Sequence, residues 1–522
     1  MKKTIYTLTL GLGLLFFGCE DQLERLPVDS LSITNAYNTV SDLQRNLNEA
    51  IDRISYNGII AHNSIFTDNC KLGVDNGGQQ TALLNQLLDS NTNGSGIWDN
   101  RYLAINGFNR IIEASSNVDA SSDQATFDFV LAQSYAFRAL CHSELLLYFG
   151  LDYEDPNALG VPYVKEVSGV ATPPRNTTQE VIDAIEEDLT IAENLLAGTT
   201  SDVNFANVDM INFLRARVAL YSGNYQDAID LADDLIASYP LANTTQYTNM
   251  FNSNEDTTEV IFKLDNVFGS NDLIAGTWLF TGTGGSFMEM SASLESELLT
   301  NDVRRDVNLD PNESDVADNL FVIGKYPAGA DTNYINDYKA MRISEMYLIR
   351  AEAHVRKQTP NYPAAIADVD AVRNARLLSG TQTSSFSNLV DAITAIKLER
   401  RLELAYEGHR YIDLKRYRNI LNEGIVRDPS DCTGAIPCTL PVNSIKWIFP
   451  IPESQNNSLG GYNVAGQGEV SSPLLINGTV FFATAQGKIF ALNAKTGNPI
   501  WIHTLDLNRQ RDEQANLPIF VG

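Results

Sequence analysis

VDMINFLRARVALYSGNYQDAIDLADDLIASYP, residues 208–240, decides how the rest of the chain is read. Apolar residues recur at steps of three and four on both sides of Gly223-Asn224, the period of two amphipathic helices meeting at a tight turn. Ala216, Ala219, Ala228 and Ala232 are small enough to let the two approach closely, and Pro240 follows the second.

This helix pair resembles a tetratricopeptide unit of about 34 residues. A second pair is expected over SEMYLIRAEAHVRKQTPNYPAAIADVDAVRNAR (344–376). One pair cannot bury its own apolar stripe, so such units stack. Earlier segments carry the same period. WDNRYLAINGFNRIIEA (98–114) aligns Trp98, Tyr102, Ile105, Phe108 and Ile112, and a longer helix over 127–150 stops at Gly150. A third, 177–198, opens with the Thr177/Glu180 spacing of a capping box and closes at Gly198. Between the two pairs, residues 241–340 turn rich in Gly, Asn, Thr and Asp, with EVIFKLD (259–265) the best strand-like run. Irregular segments of that length usually bind something or form a passive lobe. The expected fold is mainly α: a tetratricopeptide-like helical scaffold with a loop-rich lobe, plus a short C-terminal β appendage.

The N-terminus reads MKKTIYTLTLGLGLLFFGCEDQLERLP (1–27). Two lysines precede an apolar run too short to span a hydrocarbon core of roughly 30 Å, so residues 1–18 read as a signal peptide. Gly18-Cys19 resembles a lipobox with Cys19 as the acylated residue, although Phe16 and Phe17 depart from that pattern. Glu20 and Asp21 resemble the acidic export signal of surface lipoproteins. A plain secretory signal with a chance cysteine is the alternative. Removing Lys2 and Lys3 with the signal takes the formal net charge from −28 to −30. That charge opposes phosphate backbones and anionic lipid alike. Nucleic acid is therefore excluded as a partner, and membrane attachment is expected by lipid anchor only. Cys432 and Cys438 bracket TGAIP and form either a small disulfide loop, as an oxidising compartment favours, or two free thiols. Cys70 and Cys141 read as single buried thiols.

No catalytic signature emerges. The chain lacks a G-x-S-x-G elbow, H-E-x-x-H and a phosphate-cradling G-x-x-x-x-G-K-[ST]. Five histidines offer few general bases, and 65 acidic residues are too many to single out a glycosidase pair. No metal site, cofactor or enzymatic activity is expected.

SEMYLIRAEAHV (344–355) followed by IKLERRLELAYEGHRYIDLKRY (396–417) closely resembles the paired signature of SusD/RagB-type nutrient-binding outer-membrane lipoproteins. WDNRYLAINGFNRII (98–112), residues 134–164 and WIFPIPESQNN (447–457) are similar to further family segments, so the resemblance runs from Cys19 to about Tyr462. It implies a cell-surface lipoprotein that captures oligosaccharides for a TonB-dependent SusC-like outer-membrane transporter. A peptide-binding member, a partner-binding scaffold or a glycan-active enzyme are the alternatives. On a helix, Arg400–Glu403, Glu407–Arg410 and Asp413–Arg416 stand three apart and can pair. They read as scaffold, as do His354 and His409.

The family's site lies on loops beside the scaffold, which points to FTDNCKLGVDNGGQQ (66–80) and TWLFTGTGGSF (277–287). Trp278, Phe280 and Phe287 offer flat faces to pyranose C–H groups, Trp278 foremost because its Gly and Thr neighbours leave it little to pack against. Asp68, Asn69, Asn76 and Gln79 can exchange hydrogen bonds with hydroxyls. Against this, Phe280 and Phe287 also suit a lobe core, and Asn76-Gly77-Gly78 also suits a plain turn.

Beyond Tyr462 the pattern breaks. EVSSPLLINGTVFFATAQGKIFALNAKTGNPIWIHTL (469–505) alternates apolar and polar residues between turn signals. It resembles one blade repeat of a pyrroloquinoline-quinone-type β-propeller. One blade cannot close a ring, so residues 466–522 are expected as a lone β appendage without a quinone site.

Overall fold

The computed structural model describes residues 36–88, 95–167, 173–266, 273–280, 285–327, 335–432, 434, 436–452, 474–476, 478–483, 488–494 and 498–504. Several helices begin where the sequence supplies a cap. Thr39 opens α1 (Val40–Asp52), and α2 (Asn57–Ile65) leads into β1 (Cys70–Leu72) and the single turn α3 (Thr81–Leu84). α4 (Ser95–Ser115) is followed by α5 (Gln124–Phe149), capped by Asp123, and by α6 (Thr178–Leu196), whose Thr177/Glu180 capping box forms as expected. The first tetratricopeptide-like pair is α7 (Val208–Tyr221) and α8 (Tyr225–Ser238). The second is α12 (Ile343–Arg356) and α13 (Tyr362–Ala375), followed by α14 (Leu389–Glu403) and α15 (Arg410–Leu421).

The two pairs meet directly. α12 packs on α8 as closely as α7 does, and α13 and α14 continue the stack on α12's other sides. The hundred residues between the pairs therefore leave the solenoid and return without interrupting it. They are less irregular than their composition suggests. α9 (Thr244–Asn252), β2 (Val260–Leu264), β3 (Met288–Met290), α10 (Ala292–Glu297), α11 (Val303–Asn308) and β4 (Tyr338–Arg342) all lie there. β2 and β4 pair antiparallel across the lobe's base, delivering the chain straight into α12. The expected strand-like run is thus a strand, while the helices α9, α10 and α11 were not anticipated. Their brevity and polar composition hide the apolar period.

The turn LAYEGH between α14 and α15 is tightly specified. Tyr406 holds φ +64° and Gly408 φ +86°, both left-handed. A Cβ on Gly408 would stand 2.9 Å from Ile59 on α2. A bulky residue at positive φ persists only where its surroundings over-determine it. Here the Tyr406 ring is buried and its hydroxyl donates to the Asn69 carbonyl at 3.2 Å.

Cys432 and Cys438 are joined in a disulfide beside the short pair β5 (Ile425–Val426) and β6 (Thr439–Leu440), and Cys70 and Cys141 are buried thiols. The C-terminal segment folds as β7 (Leu474–Ile476), β8 (Thr479–Ala483), β9 (Lys488–Asn493) and β10 (Pro499–Thr504), a meander in the order β10-β9-β8-β7. Ile500, Trp501 and Ile502 on its outer strand are exposed. The signal peptide, Cys19 and Tyr462 lie outside the described residues.

Candidate ligand-binding surface

The two loop segments singled out in the sequence are neighbours. β1 pairs antiparallel with β3, setting Cys70 against Met290 and Leu72 against Met288. Beyond β1, Gly73 N–H donates to Phe287 O at 3.1 Å and Asp75 N–H to Ser286 O at 3.0 Å. The approach requires glycine: a Cβ on Gly73 would lie 2.7 Å from the Phe287 carbonyl carbon and 2.9 Å from Met288 N. A third segment closes the rim. Glu289 bridges to Val322, and the Lys71 ammonium donates to Asn319 O while sitting 4.4 Å over the Phe321 ring.

Most of the candidate side chains are turned inward. Trp278 is fully buried, 5.3 Å from the Tyr406 ring, and presents no face to solvent. It is core, not platform; the Gly and Thr beside it in sequence do not surround it in space, and Tyr406 does. Phe287 is likewise buried, packed edge-on to Phe280 at 5.0 Å. Phe280 keeps a half-buried ring. Asp68 is buried and accepts two bonds from Arg410, at 2.8 and 2.7 Å. Burial alone would raise its pKa, but the Arg401 and Arg410 guanidiniums outweigh that and hold it well below the usual carboxylate range. The Asn69 amide oxygen accepts from Arg401 at 2.9 Å. Asn76 donates to Phe287 O at 2.8 Å and to Gln79 O at 2.9 Å, and accepts from Gly78 N–H at 2.9 Å, so it pins a turn. These three are buried supports whose side chains bond within the chain. Gln79 is exposed.

Among the described residues, what the first two segments offer to solvent includes Gln79, Asp75, half-buried Phe280 and the aliphatic Leu72 and Val74, 42% and 72% exposed. Glu289, which sequence reasoning missed, is the inner brace. Nearly fully buried, it accepts from Val74 N–H at 2.9 Å and lies 3.6 Å from Lys71. Nothing in its local sequence, MEM, distinguishes it.

Behind the rim the signature helix makes an ionic centre. Two of the three pairs expected at i, i+3 do not form. Glu403 instead takes Arg342 at 2.9 Å, Arg376 at 2.8 and 3.0 Å, and Arg304 at 3.4 Å. Glu407 takes Arg342 twice at 2.8 Å and Lys325 at 2.7 Å. Glu259 from β2's start joins Arg376 at 2.9 Å and also Arg342. Arg400 bonds Asp413 at 2.8 Å; only Asp413–Arg416, at 3.2 Å, forms as expected. Full burial would raise the Glu403 pKa, yet Arg376 and Arg342 hold it well below its ordinary value. Burial pulls Lys325 down to about 8 against the opposing pull of Glu407. The cations come from the lobe and α13's end, the anions mainly from α14 and the turn after it, so the centre ties lobe to scaffold. Neither His354 nor His409 reaches the rim: His354 lies on α12, and His409 sits 3.9 Å from Glu345.

Two family models match the chain: the SusD family over residues 291–467, and a SusD-like family described as starch-binding associating with outer membrane over 27–209. The second description is of starch binding. The chain is 27% identical to SusD-like protein P2 of Formosa agariphila over 476 residues, 80% of this chain and 91% of that protein. Among solved structures it is similar to a SusD superfamily protein from Bacteroides thetaiotaomicron, at TM-score 0.69 and 21% identity, covering 80% of this chain and 98% of that one. Surface glycan-binding protein A from the same organism, solved with laminarihexaose, has the same fold at TM-score 0.62 and 19% identity, covering 81% and 98%. The chain thus matches SusD-type family models in both its N-terminal part, 27–209, and its C-terminal part, 291–467, and shares its helical fold with a solved SusD superfamily protein.

Proposed function

We propose that the protein captures oligosaccharides at the rim formed by residues 72–80, 279–280, 285–287 and 316–322. It would be held at the outer membrane by lipid on Cys19 and pass its ligand to a TonB-dependent SusC-like transporter. The observation that carries this reading is the joining of two segments some two hundred residues apart into one exposed edge, with Asn76 bonded to Phe287 across it. The outer-membrane description of one family model and the laminarihexaose complex of a structural relative support the ligand class and the location. No helix among the described residues is long and apolar enough to cross a membrane, so the anchor would rest on acyl chains, of which stable attachment needs at least two.

A glycan array on the chain from Cys19 onward, followed by calorimetry on the best hit, tests the site. Gln79→Ala and Phe280→Ala are each expected to raise Kd about tenfold, or roughly 1.4 kcal/mol. If no glycan binds, or if the double variant binds as tightly as the parent, the site is elsewhere. Cys19→Ala should release the protein from the membrane fraction; unchanged partitioning would refute the anchor.

A further inference from the structure

The root of the ligand rim is gripped in an unusual way. Five successive backbone carbonyls, Ile65 to Asn69, each accept hydrogen bonds from residues distant in sequence. Arg427 takes the first three: its Nη2 donates to Ile65 O at 2.8 Å and Phe66 O at 3.1 Å, and its Nε to Thr67 O at 2.7 Å. Asp68 O accepts from the Ser291 hydroxyl at 2.7 Å and from Arg401 at 2.5 Å, and Asn69 O from Ser291 N–H at 2.9 Å and from Tyr406. The remaining Arg427 donors go to Leu84 O at 2.6 Å and Pro437 O at 3.1 Å.

Arg427 is 2% exposed, and all of its side-chain bonds are to neutral carbonyls. Burying a guanidinium without a bonded carboxylate is costly, and burial duly lowers its pKa to about 10. Three of the carbonyls it meets, Ile65 to Thr67, lie at and just beyond the end of α2, where the helix dipole favours a cation. The disulfide loop stands behind it. Pro437 belongs to that loop, Cys438 O accepts from Arg427 N–H at 2.8 Å, and Asp431 accepts from Ala292 N–H, beside Ser291, at 2.9 Å.

We propose that Arg427, backed by the Cys432–Cys438 loop, is the positioning residue that fixes where residues 68–79 present themselves to a ligand. The inference rests on the ligand rim proposed above. Its geometry makes the loop's own bonds, Gly73 and Asp75 N–H to the 286–287 segment and Asn76 and Gln79 N–H within the turn, depend on a root set from the C-terminal side.

The test is hydrogen–deuterium exchange on the full mature chain, with Arg427→Met, Arg427→Lys and the double variant Cys432→Ser/Cys438→Ser. Arg427→Met should speed exchange over 68–79 at least tenfold while α7 and α8 exchange as in the parent. Arg427→Lys, which keeps the charge but not the fork of donors, should recover part of the protection, and the serine pair should fall between. Affinity for the glycan found on the array should weaken in the same order. Unchanged exchange over 68–79, or an equal rise in α7 and α8, overturns the proposal. Should Arg427→Met fail to fold, Arg427→Lys and the serine pair decide by the same two criteria. If the parent binds no glycan, the functional reading fails, and the exchange pattern still decides the role of Arg427.

Discussion

Replacing Glu403 by Gln keeps the side chain's volume and removes one negative charge from among three guanidiniums. In the parent that carboxylate serves Arg342, Arg376 and Arg304, all within 1% of full burial. Removing one partner of a buried ion pair costs about 3–5 kcal/mol, because the other charge stays buried. Here each arginine keeps another carboxylate: Arg304 keeps Asp302 and Glu399, Arg342 keeps Glu259 and Glu407, and Arg376 keeps Glu259. The expected loss is therefore at the lower end, about 3 kcal/mol, a large share of the 5–15 kcal/mol typical of a folded protein. Urea unfolding followed by fluorescence reads it well, since Trp98, Trp278 and Trp447 are all nearly fully buried. Glu186→Gln is the control. Its side chain is half exposed against Arg215, where an ion pair contributes only about 0–1 kcal/mol. If Glu403→Gln loses no more than the control, the ionic centre does not hold the lobe in the way its geometry indicates.

Three further outcomes follow. Trp278→Ala should destabilise the protein by about 3–5 kcal/mol, the cost of emptying a buried tryptophan site; a melting temperature unchanged to within a degree would mean the ring is not core. Acid should weaken the fold: burial lowers His409 to about 4 against the opposing pull of Glu345, so the folded state favours the neutral ring. That stability is complete above the ordinary value near 6.5 and is lost as pH falls toward 4, up to about 3 kcal/mol from this residue; a flat melting profile from pH 7 to 4.5 would contradict it. Truncation after Tyr462 should leave the helical circular dichroism and any glycan affinity within twofold, because both family matches end by residue 467; a tenfold loss of affinity would assign the β7–β10 sheet to the site.

Periodicity made the scaffold legible. The stripes at 208–240 and 344–376 are local properties of the chain, and the helices appear there, with the positive-φ Gly223 at the expected turn. Partners across the sequence were not legible. Glu407 and Arg410 stand at a helical pairing distance, yet Arg410 reaches Asp68, 342 residues earlier, because burial rewards the partner that completes a desolvated site over the nearest one. Trp278 misled for the same reason. Its chain neighbours are small, and the ring that covers it belongs to Tyr406. The place of the site was better indicated than its residues. Both candidate segments lie on one edge, but of their seven named side chains only Gln79 is exposed, with Phe280 half so.

The ionic centre also sets an order of events. Glu259 and Arg376 are 117 residues apart, and the carboxylates that complete the group, Glu403 and Glu407, come later still. In a chain emerging from its N-terminus, Arg304 and Arg342 lack their Glu403 and Glu407 partners until α14 and its following turn are made. Closure over so long a loop must come late, after the helical pairs have formed locally. Contacts that form after the folding barrier slow unfolding without slowing folding. A buried cluster of this kind would therefore act chiefly on the lifetime of the folded protein, holding the lobe on its scaffold long after folding is complete.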